Sequence, residues 1–208
     1  MVDTSLGPSL GSSLGPVHAP LPTATLDGTS LPIITWPARN ALVRVHPAGY
    51  DPVYLLPREP SQRYDDPDRQ FGTMYCAVEV QAAILETLLR NPRLRGVSRA
   101  EVAVRRVSRV MPRRDLRLVD FVGAGLQILG TDSGVNTGPY AVSRAWARAL
   151  FAHPDCPDGI IYPSRFDPSL YCVAVFARPD VEWDRSNAAA VSDDVLLPIL
   201  SKYGKGLL

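Results

Sequence analysis

From residue 41 onward the apolar positions fall into short alternating runs, broken by one long irregular stretch. The segment ALVRVH (41–46) alternates in the manner of a half-buried strand. It runs into PAGYDPVYLLPREPSQRYDDPDRQFG (47–72), which holds too many prolines for a regular element. In FGTMYCAVEVQAAILETLL (71–89) a strand from Thr73 to Ala77 passes into a helix from about Val80, ending near Asn91-Pro92. AEVAVRRVSRV (100–110) alternates again, and LRLVDF (116–121) reads as a further strand. In GPYAVSRAWARALFAH (138–153), Val142, Ala145, Trp146, Ala149 and Leu150 recur at helical spacing, and Pro139 suits the first helical position. DGIIYPS and LYCVAVF pattern as a strand pair around a turn at Arg165–Ser169. SDDVLLPILSKYGKGLL opens on Ser192 as an N-cap with acidic residues in the first turn.

Strands outnumber helices and mix with them irregularly. The pattern predicts an α+β fold, a mixed sheet with flanking helices in a single domain over 31–208. Residues 1–30 differ in texture. SLG recurs at Ser5, Ser9 and Ser13 with no periodic apolar face, which predicts a flexible low-complexity tail without chemistry.

Composition narrows the function classes. At 208 residues and 46% hydrophobic, the chain can bury a real core. A net charge of +1 supplies no bulk field toward nucleic acid or an anionic membrane. Lys202 and Lys205 are the only lysines among 22 cationic side chains, so the rest are arginines. A GC-rich genome explains that bias, and a grip on planar anions such as phosphate or carboxylate is the alternative. Cys76, Cys156 and Cys172 are odd in number and share no metal-ligand spacing, which suits a reducing cytosol. No apolar run is long enough to span a membrane, and the N-terminus does not read as a signal peptide. The chain is therefore expected in the cytoplasm.

Four polar residues interrupt apolar elements: Arg44, Tyr75, Glu86 and Ser164, the last followed by Arg165. By pattern alone each has an ordinary explanation. Arg44 fits the solvent side of a strand, Tyr75 a core position and Ser164 a turn. Glu86 lies at the edge of the arc of Val80, Ile84, Leu85 and Leu88, where a carboxylate is usually solvated. The small Ala82 and Ala83 beside it would leave room for a ligand. There is no Gly-rich phosphate loop, and GAGLQILG (123–130) lacks the context of a cofactor turn. His18, His46 and His153 form no metal-ligand pattern, and Ser164 is in no nucleophile-elbow context.

Taken as an ordered set, these residues resemble the bacterial RES domain, named for its Arg, Glu and Ser. The matching pieces are RVHPAGYDP (44–52), RYDDPDRQFGTMYCAVEVQAAILETL (63–88), LRLVDF (116–121), YAVSRAWARALFAH (140–153), DGIIYPSR (158–165) and ILSKYGKGLL (199–208). The resemblance implies an ADP-ribosyltransferase-like split mixed β-sheet with an NAD cleft, similar in fold to diphtheria toxin. It implies an enzyme with NAD as substrate, no prosthetic group and no metal. It further implies a type II toxin neutralised by an Xre-family antitoxin, itself a DNA-binding protein, and a homodimer without nucleic-acid contacts of its own. By position the family's residues fall on Arg44, Arg63, Tyr75, Glu86 and Ser164. That makes Arg44, Glu86 and Ser164 the expected catalytic residues, and Arg44, Arg63, Tyr75 and Ser164 the expected NAD-binding ones. Arginines would hold the pyrophosphate, Glu86 would face the oxocarbenium-like sugar, Tyr75 would line the nicotinamide pocket and Ser164 would orient the ribose or nicotinamide. The acceptor stays open between water, phosphate and a protein side chain, and a non-catalytic binding module is the remaining alternative. The helix at 140–153 departs from the pattern, since many toxin members carry a Thr-Gln pair near its start. That departure bears on the antitoxin interface rather than on the NAD site.

Overall fold

The structure, a computed structural model, describes residues 19–208. A short 3-10 helix at Leu26–Gly28 leads into strands β1 (Ile33–Trp36), β2 (Leu42–Pro47) and β3 (Thr73–Ala77), then helix α1 (Val80–Thr87). Next come β4 (Gly96–Val97), α2 (Arg99–Ala103), β5 (Arg105–Pro112), β6 (Leu116–Asp120), α3 (Ala124–Ile128), α4 (Gly134–Thr137) and α5 (Tyr140–Ala152). The chain finishes with β7 (Gly159–Pro163), β8 (Tyr171–Phe176), β9 (Trp183–Arg185), β10 (Ala189–Ala190), α6 (Asp193–Lys202) and β11 (Gly206–Leu207).

Nine strands form one sheet in the order β1-β6-β7-β8-β3-β2-β5-β10, with β9 also on β5, while β11 and β4 pair separately. Within the large sheet β6 and β7 are parallel and the other pairs antiparallel. β2 pairs with β5 over six residues and β3 with β8 over five, yet β2 and β3 meet only at Val43 and Ala77. The sheet is therefore split there. Leu116 and Leu118 of β6 share a buried cluster with Val110 of β5, with four strands between them in the sheet, so the sheet curls around that cluster. Its other face carries two separate clusters. One packs Trp146 and Leu150 of α5 on Val119, Ile160 and Ala174. The other packs α1 and α6, through Ala82, Ile84, Leu85, Leu196 and Leu200, around Val43 and Ala77. Burying apolar surface on both faces is the main favourable term in such a layered fold.

The long stretch after β2 forms no regular element, as its prolines require, but it is fastened at many points. The Tyr64 amide donates to the Tyr75 hydroxyl (2.8 Å), which donates in turn to Asp65 Oδ1 (3.0 Å). Asp65 Oδ2 also accepts the amides of Ser61 and Gln62. Asp66, buried, accepts from the Gln70 amide and from Arg148 Nε and Nη2 of α5. A methyl group on Gly72 would stand 1.8 Å from the Leu55 carbonyl oxygen, so only glycine lets the loop lie against the start of β3.

Several expectations need correction. The alternation over 100–110 is a helix for its first residues, because Ser98 caps α2 by accepting the Glu101 amide (3.1 Å) in an S-x-x-E arrangement. Helix α1 stops at Thr87, short of Asn91-Pro92. Pro139 is extended and sits just before α5, not within it. Ser192 does precede α6, though its side chain makes no capping hydrogen bond. Residues 19–30 are no flexible tail. Ala19 and Leu26 are buried, the Trp146 indole donates to the Pro20 carbonyl (2.9 Å), and His153 Nε2 lies 3.0 Å from the Leu26 carbonyl. Residues 1–18 of the expected tail, His18 included, lie outside the described residues.

Burial alone would raise the Asp66 carboxyl, but hydrogen bonds from Arg148, Gln70 and Asp68 hold it below its ordinary value. A depressed carboxyl adds stability above its unfolded pKa, near 4, and loses it as pH falls through the folded value. Asp66→Ala is expected to cost about 2 kcal/mol at pH 7 by removing the buried acceptor shared by the Gln70 amide and Arg148. Urea titrations should show the gap to the unaltered protein closing below about pH 4.

Candidate active site

A cavity of about 360 Å³ opens at the split between β2 and β3. That is within the roughly 300–1,000 Å³ of small-molecule sites. β2 supplies Val43, Arg44 and Val45, β3 supplies Tyr75, Cys76 and Ala77, and α1 supplies Ala83, Glu86 and Thr87. The irregular loop adds Arg58, Gln62 and Arg63, and the far side is closed by Asn136, Tyr140 and Tyr162. Of the five residues singled out in the sequence, Arg44, Arg63, Tyr75 and Glu86 line this cavity. The fifth, Ser164, is buried beneath it and bonds to Glu86.

The wall is cationic. Arg44, Arg58, Arg63, Arg90, Arg105 and Arg165 line it against one carboxylate, Glu86. Burial, reinforced by the Arg58 charge, lowers the Arg44 pKa from its ordinary value, but an arginine remains charged at neutral pH. Arg44 donates one bond to the Pro52 carbonyl. Arg63 spends Nη1 on the Gly138 carbonyl (2.8 Å) and the Ser143 hydroxyl (3.1 Å), and its guanidinium lies over the Tyr140 ring at 4.7 Å. It thereby ties the loop to α5 while presenting its other edge to the cavity. Arg58 and Arg105 each keep a buried Nε without a hydrogen-bond partner among the described residues. Buried donors without acceptors are costly, and an anionic ligand is their natural complement.

Glu86 sits on the inner side of α1, half-buried, because Ala82 and Ala83 leave space and Ile84, Leu85 and Leu88 anchor the helix. The Ser164 hydroxyl donates to Glu86 Oε1 (2.6 Å). Ser164 Oγ accepts the amides of Phe166 (3.2 Å) and Asp167 (3.4 Å), so its hydroxyl proton is directed to Glu86. Among the described residues Glu86 Oε2 has no partner, which leaves it for a ligand. The Tyr75 hydroxyl is committed to Tyr64 and Asp65, so only its ring faces the cavity. Burial, and then the Asp65 charge, push Tyr75 well above its usual pKa. Burial likewise pushes the Cys76 thiol up to about 12 and raises Cys172, so both cavity thiols are neutral at pH 7 and poor nucleophiles.

Pattern reasoning missed Arg58, Arg90, Arg105 and Tyr140. The excess of arginine over lysine was a signal for the first three, but it did not say which arginines converge. Nothing local marked Tyr140.

A curled, split mixed sheet with flanking helices and a cleft at the split is the architecture of ADP-ribosyltransferase-like proteins, and this chain has that fold. The chain belongs to the RES domain family, whose model matches residues 41–194. The fold is similar to that of a chain in the crystal structure of the M. tuberculosis MbcT–MbcA toxin–antitoxin complex. The match has a TM-score of 0.62 and 16% sequence identity, and covers 81% of this chain and 92% of that one. No curated protein sequence matches the chain.

Inorganic pyrophosphate is expected to bind in this cavity and raise the melting temperature. Arg44→Gln should weaken that binding by about tenfold, the loss of one charge-assisted contact. Isothermal titration checks both. No heat of binding would mean that the guanidinium wall does not hold a diphosphate.

Proposed function

We propose that this protein consumes NAD by breaking the nicotinamide–ribose bond, and that it acts as the toxin of a toxin–antitoxin pair. The observation that carries the reading is Glu86, the sole carboxylate in a wall of six arginines, with one oxygen held by Ser164 and the other left for a ligand. NAD offers the complementary chemistry: a diphosphate for guanidinium groups and a sugar that becomes cationic as its bond to nicotinamide breaks. Membership of the RES family and the likeness to a toxin–antitoxin structure support the toxin role and an antitoxin as partner.

In this reading Arg44, with the free edge of Arg63, holds the diphosphate. The C1′–N bond breaks, its electron pair moves onto the nicotinamide ring and neutralises it, and no strong general acid is required. Glu86 Oε2 faces the ribose, bonding a hydroxyl and stabilising the developing oxocarbenium charge. The Tyr75 ring walls the nicotinamide end. Ser164 is buried with its hydrogen bonds spent inside the protein, so it works through Glu86 rather than on the substrate. Water or phosphate then takes the sugar.

Purified protein is expected to release nicotinamide from NAD, and running the assay with and without phosphate identifies the acceptor. Glu86→Ala should lower the rate by about 10²–10³ without unfolding the domain. Expression of the unaltered chain should arrest growth, and the variant should relieve the arrest. A folded protein that releases no nicotinamide under either condition overturns the reading. A labelled protein from a lysate supplied with labelled NAD would redirect it to ADP-ribose transfer.

A further inference from the structure

Helix α1 is joined to the turn after β7 at two places. The direct link is the bond from Ser164 to Glu86. The second runs through the end of α6. Gln81 Nε2, five residues before Glu86 on α1, donates to the Tyr203 hydroxyl (2.7 Å), which donates to Asp167 Oδ2 (2.7 Å). Asp167 in turn fixes the turn that carries Ser164. Its Oδ1 accepts the Ser169 hydroxyl (2.6 Å) and amide (3.1 Å), and its carbonyl accepts the Leu170 amide (3.0 Å). Leu170 returns its carbonyl to the Ser164 amide (2.8 Å). The bonds close a ring: Gln81, Tyr203, Asp167, the turn, Ser164, Glu86 and back along α1.

Two features mark the ring as more than a fastening of the C-terminus. The turn presents the Phe166 and Asp167 amides to Ser164 Oγ, and those two contacts leave the hydroxyl proton only Glu86 as acceptor. The Asp167 carboxyl is also held down to about 2, chiefly by the hydrogen bonds from Ser169 and Tyr203 and then by Lys202 nearby. It is therefore an anion at neutral pH. Yet Gln81, Asp167 and Tyr203 do not line the cavity.

We infer that Tyr203, through Asp167, is a positioning residue for Glu86: it sets the turn that makes Ser164 a donor to Oε1 and so aims Oε2 into the cavity. This rests on the NAD reading above, because its effect is read in that reaction.

Tyr203→Phe is expected to lower kcat for nicotinamide release by about tenfold, the weight of one well-placed hydrogen bond, with KM for NAD unchanged. A general loosening of the fold would move both constants and the melting temperature. The double variant Tyr203→Phe/Ser164→Ala should be no slower than Ser164→Ala alone, because both remove the same control of Glu86. An unchanged kcat in Tyr203→Phe, or losses that multiply in the double variant, overturns the inference while leaving the NAD reading intact. No nicotinamide release from the unaltered protein overturns that reading and the role of Tyr203 together. If Tyr203→Phe does not fold, Asp167→Asn tests the same link. A lowered kcat at constant KM supports it, and an unchanged kcat overturns it.

Discussion

Everything about the site follows from a single short contact, the lone pairing of Val43 with Ala77 between β2 and β3. On either side of it the ladders are longer, six residues between β2 and β5 and five between β3 and β8. Past that one pairing the strands diverge, and the edges they would have shared become the walls of a cavity. Divergence carries a cost. Strand groups left unpaired next to a core lose hydrogen bonds, and the two apolar clusters on that face are no longer continuous. What offsets the cost is a substitute for the missing ladder, built from the irregular loop and the tyrosines.

That substitute explains why so proline-rich a stretch is ordered. Proline stiffens the chain but gives up amide donors, so the loop cannot be held by its own backbone. It is held by side chains with high acceptor capacity. Asp65 collects the amides of Ser61 and Gln62 and the Tyr75 hydroxyl, and Asp66 collects the Gln70 amide and Arg148. Arg63 and Tyr64 reach α5 and α4, where the Tyr64 hydroxyl donates to Asn136 (2.6 Å). Four consecutive residues thus tie the loop to β3, α4 and α5, and the loop becomes a wall of the cavity rather than a cover over it.

This division also sets what could be read from the sequence. The strands at 42–46, 73–77, 116–120, 159–163 and 171–176 were legible because alternation is a local property. Helix α2 was not, because its Ser98-x-x-Glu101 cap competes with an alternation that continues straight through it. Glu86 illustrates the limit at the site. Its helix pattern reads as an amphipathic surface helix, and the residue it bonds, Ser164, is 78 positions away. Only the ordered family match linked the two. Arg58 and Arg105 had no such help, since a lone arginine in a loop or a strand looks the same in sequence with or without a convergent partner. The docking of residues 19–30 was illegible for a related reason: it depends on a carbonyl meeting Trp146, and composition carries no trace of that.

The charge arrangement finally constrains how the site can work. Six guanidinium groups around one carboxylate repel one another, and a neutral ligand would not relieve that repulsion. An anion does, and it draws its own charge toward the arginines. Glu86 is then the only negative group left to face whatever positive charge develops on the rest of the ligand. A site built this way sorts a ligand by charge along its length, phosphate to the guanidinium wall and the incipient cation to the carboxylate. In the proposed reaction, such sorting would align the nicotinamide–ribose bond with Glu86 before it breaks. The carboxylate must then hold its aim in a cavity it shares with six cations. Ser164, locked as a donor by the turn amides, is the restraint on that aim.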